Sequence, residues 1–265
     1  MGAASREQVS MTGVPSTIWL PDGIDTQLEA LIDLIGSWNR RINVVSRKLT
    51  REDLLRHALS SLAPLELLSD PAADVWMLDV GSGGGFPAFP LLLARPAWSA
   101  VLVEATRKKC LYLRDVGERL TPGRVRVLQG RYEGLSMPTA EAPEDPDRPG
   151  HQDRGSAPAE VPHPAGPESQ AGAEPEAHTR AGARDRFDLI TLRAVAPDGR
   201  FVSSAAPRLR RDLAPGGLLA WYTPQDDRGQ VQALDALKAA GCVRVGLVRV
   251  EWAGATLAIG RGPQN

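Results

Sequence analysis

Residues 77–87 read MLDVGSGGGFP, which is an apolar run followed by a glycine-rich loop and a proline. The apolar run predicts a strand, and Pro87 suits the first turn of a following helix. Glycines lack a Cβ atom, so the backbone can turn sharply and approach a ligand closely. In open α/β sheets such a loop lies at the carboxyl end of the strands, where ligands bind. The stretch therefore predicts a ligand site on an α/β sheet.

The spacing of the glycines narrows the choice of ligand. Gly81, Gly83 and Gly85 form G-x-G-x-G, while Phe86 stands where the dinucleotide fingerprint has its last glycine. No Lys-Ser or Lys-Thr follows, which excludes a P-loop. An adenosyl group without phosphates fits better, so the predicted cofactor is S-adenosylmethionine. A purely structural turn is the alternative, and an NAD enzyme is disfavoured by Phe86.

Glu104 supports an adenosyl ligand because it ends the second predicted strand. A carboxylate at this separation can accept hydrogen bonds from both hydroxyls of a ribose. The alternative is an ordinary surface acid at a strand end.

Downstream of the glycine loop, short apolar runs alternate with helical patterns, which is typical of a parallel sheet covered by helices. Helices are predicted near 87–94, 107–120, 198–213 and 228–240. The predicted strands are Val75–Val80, Ala100–Glu104, Val125–Gln129, Phe187–Leu192, Gly217–Tyr222, Cys242–Arg249 and Ala255–Ile259. The last two strands have no helix between them and should form an antiparallel hairpin. The predicted fold is the α/β, class I (Rossmann-like) methyltransferase fold, with a seven-stranded, mostly parallel sheet and an N-terminal helical extension.

Four segments follow from these patterns. Residues 1–23 are predicted to be a flexible N-terminus and residues 24–70 a helical region. Residues 71–265 are predicted to form the S-adenosylmethionine-binding domain. Residues 137–185 interrupt it with a Pro-, Gly- and acid-rich insertion that has almost no large apolar side chains, so disorder is expected there.

The helical region carries its own start signals. Thr26 and Glu29 fit a capping box at the start of a first helix. A second helix is predicted after Thr50, with Arg51, Arg56 and His57 on its outer face.

Composition limits the cellular setting. The 265 residues are 42% hydrophobic, but no run approaches the roughly 20 apolar residues of a membrane span. No secretory signal is recognisable at the N-terminus. The two cysteines, Cys110 and Cys242, lack a partner at metal-ligand spacing, so reduced core thiols and no metal are expected. A cytoplasmic, monomeric protein is predicted.

The net charge of −1 is the sum of an acidic segment and a basic remainder of the chain. Residues 137–185 contain ten acids and four arginines, and the remainder carries 27 basic and 22 acidic residues, an excess of five positive charges. This excess allows contact with RNA phosphates. Solvated helix faces are the alternative interpretation of the basic residues, which are Arg40, Arg41, Arg47, Lys48, Arg107, Lys108, Lys109, Arg208, Arg210 and Arg211.

Two motifs that the sequence lacks limit which atom of a substrate could receive the methyl group. After the fourth predicted strand, residues 192–197 read LRAVAP rather than the Asn/Asp-Pro-Pro-aromatic motif of exocyclic amine methylation. Neither cysteine has the setting needed for cytosine C5 methylation. An acceptor with a free lone pair, such as guanine N7, remains and has no proton to remove. No catalytic acid or base is therefore assigned.

Taken in order, these motifs resemble the RsmG (GidB) family of small-subunit ribosomal RNA methyltransferases. The resemblance covers about 38–225 with the insertion set aside. It rests on Trp38–Asn39 with Asn43, Arg56–His57, Ser61–Leu62, Asp79–Pro87, Arg95–Pro96, Arg131 with Glu133, and Arg193–Pro197.

The resemblance implies N7 methylation of one guanine in the decoding-region loop of 16S rRNA, with 16S rRNA or the small ribosomal subunit as partner. By position, Gly81 and Phe86 would line the cofactor pocket, and Tyr132 and Glu133 would hold its adenine side. Arg193 would lie near the reacting methyl. The alternatives are a core position for Tyr132 and a structural ion pair for Arg193.

The sequence also departs from the family pattern. Ser60 stands where the family usually has Asp, Ala88 where it has Gly, and no lysine follows the fifth strand in residues 221–225. Two further functions therefore stay open: a methyltransferase for a small molecule or protein, and a noncatalytic RNA-binding assembly factor.

Overall fold

The computed structural model describes residues 14–68, 70, 73–139, 185–195, 199–223 and 226–264. Most of the predicted N-terminus 1–23 and of the predicted insertion 137–185 lies outside these residues. The helices are α1 Ile24–Asn39, α2 Arg51–Ser61, α3 Ala88–Ala94, α4 Arg107–Leu120, α5 Gly199–Asp212 and α6 Asp227–Ala239. The strands are β1 Trp76–Val80, β2 Ser99–Glu104, β3 Val125–Gln129, β4 Phe187–Leu192, β5 Leu213–Tyr222, β6 Val243–Val250 and β7 Ala255–Arg261.

The strands form one seven-stranded sheet in the order β3-β2-β1-β4-β5-β7-β6. Strands β1 to β5 are parallel, whereas β7 runs antiparallel to both β5 and β6. The predicted fold, including the final antiparallel hairpin, is confirmed. The direction of strand succession reverses between β1 and β4, and in doubly wound sheets this crevice holds the ligand.

Both faces of the sheet are buried, so adjacent residues of β1 enter different cores. Met77 packs with α1 to α4 in one cluster, whereas Leu78 packs with α5 and α6 in the other. This two-sided burial explains why the central strands have continuous apolar sequences.

The start of α1 differs from the prediction. The helix begins at Ile24, after Gly23 with a φ of 75°, so Thr26 and Glu29 lie inside it and no side chain caps it. The capping box occurs instead at α2, where the Thr50 hydroxyl accepts from the Asp53 backbone and the Asp53 carboxylate accepts from the Thr50 backbone. The Thr26 prediction was wrong because the T-x-x-E spacing also occurs within helices.

Strand β5 also begins earlier than predicted, at Leu213 rather than Gly217. It follows α5 directly, and Leu213 pairs with Phe187 before an irregularity in the register. Apolar periodicity missed this first part because Pro215 and Gly216 interrupt it.

Candidate active site

The glycine loop leaves the carboxyl end of β1 in the crevice between β2 and β4. A Cβ atom on Gly81 (φ 76°) would lie 2.8 Å from Val195 Cγ2, and one on Gly85 (φ 81°) would lie 2.3 Å from the Phe89 ring. At Gly83 the nearest atom to such a Cβ is a backbone oxygen at 3.7 Å. The loop is therefore closely packed on both sides and open at its middle.

Glu104 fixes the shape of this loop. It is 8% exposed at the end of β2. Its Oε2 accepts from the Gly83 amide at 3.0 Å, and its Oε1 accepts from the Thr106 amide at 2.7 Å. Each carboxylate oxygen retains a further lone pair. Glu104 can therefore hold the loop and still accept from a ribose, and the ribose role stays a prediction.

Asp79, for which the sequence suggested no role, carries an unsatisfied buried oxygen. Its side chain is 1% exposed at the foot of the loop. Oδ1 accepts from the Thr191 hydroxyl at 2.6 Å, while Oδ2 has no partner within the described residues. Burial raises the pKa of Asp79 to about 7, and the Thr191 bond opposes this shift. An acid two positions before the first glycine of the loop was the available signal.

The residues predicted on the adenine side separate into a buried and an accessible member. Tyr132 is 2% exposed and its hydroxyl donates to Asp212 at 2.8 Å, so its ring lies in the core. Glu133 is partly exposed in the short 3-10 helix that follows β3. Gly130 donates its amide to the Glu104 carbonyl at 2.9 Å, which holds this segment beside β2.

Arg193 closes the opposite side of the crevice through neutral partners. Its Nη1 donates to the His57 carbonyl at 3.0 Å and to Ser61 Oγ at 2.9 Å. Its Nη2 donates to Ser60 Oγ at 2.9 Å and contacts His57 Nδ1 at 2.7 Å. The guanidinium also lies over the Tyr222 ring at 4.9 Å. These contacts join α2 to β4 and β5, in place of the ion pair considered as the alternative.

His57 faces inward, although the sequence placed it on the outer face of α2 with Arg51 and Arg56. Its ring packs against Phe86 with the centroids 6.1 Å apart. Because an arginine can only donate, Nδ1 accepts and the neutral ring carries its proton on Nε2. Burial, and secondarily the charge of Arg193, lower the pKa of His57. Arg51 and Arg56 remain exposed.

The loop between α1 and α2 packs against the glycine loop. Asn39 Oδ1 accepts from the amides of Val44 at 2.9 Å and Val45 at 3.1 Å. A Cβ atom on Gly84 would lie 2.5 Å from Val45 Cγ1. Exposed cations therefore stand beside the crevice; they are Arg40, Arg41, Arg47 and Lys48 on this loop, and Arg107 and Lys108 at the start of α4.

The basic residues Arg208, Arg210 and Arg211 lie on α5, and two of them bond to other residues of the protein. Arg208 donates to the backbone carbonyls of Glu133 and Leu135 and lies over the Tyr132 ring at 5.5 Å. Arg211 pairs with Asp212 at 2.7 Å. Both side chains thus have bonding partners within the protein, whereas Arg210 is exposed, and contact of this cluster with RNA stays a prediction.

The described ranges contain no group of three or more His, Cys, Asp or Glu residues that could hold a metal ion. The three histidines His151, His163 and His178 lie outside them. Within the same ranges no helix has the length and apolar character needed to cross a bilayer. Cys110 and Cys242 are free, and burial raises the pKa of Cys242 to about 11.

Comparison with known proteins extends these observations. A family profile described as "GidB: rRNA small subunit methyltransferase G" matches residues 24–143. A ribosomal RNA small subunit methyltransferase G from Nitrosomonas europaea is 38% identical over 112 residues, which cover 42% of this chain and 50% of the relative. The same-named protein from Burkholderia ambifaria is 33% identical over 139 residues, covering 52% and 60%. The chain thus spans about half the length of the curated relatives it matches.

Solved structures agree on the fold. A methyltransferase from Pyrococcus furiosus has 14% identity and a TM-score of 0.50, with 89% of this chain and 98% of that chain covered. The S-adenosylmethionine-dependent methyltransferase SibL also has 14% identity and a TM-score of 0.50, with 90% and 70% covered.

Proposed function

We propose that this protein is an S-adenosylmethionine-dependent methyltransferase of the RsmG (GidB) family, the family that the sequence motifs resemble and whose profile matches residues 24–143. Its proposed product is N7-methylguanosine in the decoding-region loop of 16S rRNA. The observation that carries the proposal is an open glycine loop above a buried acid, Asp79, whose Oδ2 has no partner in the described part of the chain.

The residues of the crevice suit this cofactor. Asp79 Oδ2 is an acceptor in need of a donor, and the α-ammonium group of the cofactor is a suitable one. Glu104 would accept from the ribose hydroxyls, the backbone at Gly83 would approach the ligand closely, and Glu133 would lie on the adenine side. When bound, S-adenosylmethionine supplies a methyl group already activated by its sulfonium.

The chemistry asks little else of the chain. Guanine N7 offers a lone pair and carries no proton, so the residues must position the base and exclude water. The Arg193 network would form the wall behind the methyl group. The Arg193 guanidinium already donates hydrogen bonds within the protein, and it keeps its charge at every physiological pH. Both facts favour a positioning role for Arg193 over proton transfer.

The rRNA partner is proposed to lie across the cations of the α1–α2 loop and the start of α4. The double variant Arg107→Glu with Lys108→Glu should weaken RNA binding and flatten its salt dependence. Substituting Arg244→Glu and Arg249→Glu, both exposed on β6, changes the charge by the same amount and is the control. If the RNA affinity of the first variant and its salt dependence were unchanged, the start of α4 would not be part of the RNA interface.

The direct test supplies small ribosomal subunits from a strain that lacks this gene. Purified protein and cofactor with a labelled methyl group should introduce one N7-methylguanosine, located by borohydride–aniline cleavage of the 16S rRNA. Cofactor binding without methylation of any RNA would favour a small molecule or protein as acceptor. Absence of cofactor binding would favour a noncatalytic assembly factor. A cytoplasmic location and a monomeric state accompany the proposal and remain predictions.

A further inference from the structure

We propose that a cavity beside Arg193 receives the target guanine and that Asp226 recognises its Watson–Crick edge. This inference rests on the proposed function and names the part of the site that selects the base. The cavity has a volume of about 550 Å³, within the range of roughly 300–1,000 Å³ typical of small-molecule sites.

The cavity lies on the side of the crevice that carries Arg193, where the methyl acceptor would bind. It is bounded by residues that follow β4 and end β5, and by the starts of α6 and β7; they include Arg193, Val195, Tyr222 and Asp226. In an open α/β sheet the carboxyl ends of neighbouring strands form one continuous crevice. A base in this cavity would therefore lie beside a cofactor held over β1 and β2.

Val195 makes this adjacency specific. Its side chain lines the cavity, and its Cγ2 also lies 2.8 Å from where a Cβ on Gly81 would stand. Trp221 holds the Val195 backbone by donating its indole N–H to the carbonyl at 3.1 Å. A single residue thus separates the cavity from the glycine loop. Methyl transfer needs the reacting atoms about 3–3.5 Å apart. The base and the cofactor would therefore have to meet past the edge of the Val195 side chain.

The cavity combines a flat surface with polar groups near the opening. Tyr222 and the Arg193 guanidinium stacked on its ring supply two flat faces. Asp226 Oδ1 caps α6 by accepting from the Gly229 amide at 2.8 Å. Its Oδ2 makes no hydrogen bond to any described residue, and a carboxylate has about four acceptor sites in all. Asp226 therefore retains acceptors for a ligand while it caps the helix.

Guanine matches this arrangement. Its N1–H and N2–H₂ groups are adjacent donors that one carboxylate can accept together. Adenine presents an acceptor at N1, which a carboxylate repels. The N7 atom lies on the opposite side of the purine, so a base with its Watson–Crick edge at Asp226 turns N7 toward the glycine loop. Bases extruded for modification are commonly recognised through this edge.

The test substitutes Asp226→Asn and Asp227→Asn. Asparagine caps helices as well as aspartate does, so the fold is retained, but its amide N–H₂ faces the guanine donors. Asp227 loses the same charge one residue further on and does not line the cavity. We expect Asp226→Asn to lower kcat/KM for small subunits by about tenfold or more. The Kd for S-adenosylmethionine should stay within twofold for both variants, and Asp227→Asn should transfer methyl groups at the wild-type rate.

Asp226→Ser provides a second capping residue without a carboxylate, in case the asparagine variant does not fold, and the same loss is expected. Equal rates for the Asp226 and Asp227 variants would overturn the inference, as would a change in cofactor affinity alone. If wild-type protein methylates no rRNA, the proposed function fails, and that result is distinct from an active enzyme that tolerates Asp226→Asn.

Discussion

At the end of β1 the crevice is lined by backbone, whereas at the ends of β4 and β5 it is lined by side chains bonded to one another. The cofactor side, defined as residues 79–87 with Glu104, is open above Gly83, and no described residue bonds to Asp79 Oδ2. The acceptor side, defined as Arg193 and Tyr222 with His57, Ser60 and Ser61, directs both terminal nitrogens of Arg193 and the Tyr222 hydroxyl to partners within the protein.

This difference assigns different tasks to the two sides. A buried acceptor without a donor raises the free energy of the fold until a ligand supplies one. A guanidinium that already donates four hydrogen bonds gains little from a ligand and instead keeps α2 in place. The cofactor side is therefore expected to respond to substitution in binding, and the acceptor side in stability.

The largest effect is expected from Gly81→Ala on the cofactor side. The new methyl group would collide with Val195 and would require a positive φ, a strain of about 1–3 kcal/mol. Shifting the loop to relieve it should weaken S-adenosylmethionine binding by about 100-fold, measured by calorimetry. Gly123→Ala is the control, since φ is +70° there and no atom lies within 4 Å of the added Cβ. Similar losses of affinity in both variants would show that backbone strain alone, rather than the crowded loop, matters.

Arg193→Lys tests the acceptor side. Lysine lacks the planar fork, so Ser60, Ser61 and the His57 carbonyl cannot all keep their donors. The free energy of unfolding in urea should fall by about 2–4 kcal/mol. Arg228→Lys, at an exposed position of α6, should change this free energy by no more than about 0.5 kcal/mol. Loss of activity at wild-type stability would instead show that Arg193 acts mainly through the base in the cavity and not by holding α2.

The two sides also differed in how far the sequence revealed them. Gly83 and Glu104 lie 21 positions apart and follow recognisable strands, so their meeting was predictable. Arg193 meets His57 across 136 positions. No local pattern encodes that contact, and His57 was consequently placed on the wrong face of α2. The fold was predictable because apolar periodicity is local, whereas side-chain networks depend on how distant elements pack.

Asp79→Asn tests whether Asp79 Oδ2 accepts a hydrogen bond from the cofactor. The pKa of Asp79 is raised to about 7 in the folded protein from a usual 3.8. The folded protein therefore loses stability as the pH rises from about 4 to about 7, because the unfolded chain gives up this proton first. At pH 8 the apo variant should therefore unfold at a higher temperature than wild type. Its affinity for S-adenosylmethionine should fall about tenfold, because an amide replaces the charged acceptor.

Asp212→Asn is the matched control for Asp79. It removes a buried carboxylate whose oxygens already pair with Tyr132 and Arg211. That variant should lose stability at pH 8 while its cofactor affinity stays unchanged. A stabilised Asp212 variant, or an Asp79 variant with wild-type affinity, would mean that the free oxygen does not serve the ligand.

The smallest effect concerns His57 on the acceptor side. Burial and Arg193 lower its folded pKa below the usual 6.5, so on acidification the unfolded chain binds the proton first. Stability should therefore be lost as pH falls from about 6.5 toward the folded pKa, by at most about 1.4 kcal/mol per pH unit. Asp79 produces the opposite slope in the same interval, and measurements in the Asp79→Asn background remove it. There, His57→Gln should flatten the dependence of the melting temperature between pH 7 and 5, whereas His163→Gln in the predicted insertion should not. If the slope survives in His57→Gln, the Arg193–His57 contact does not hold the ring neutral, and the acceptor side is not the internally satisfied wall that distinguishes it from the cofactor side.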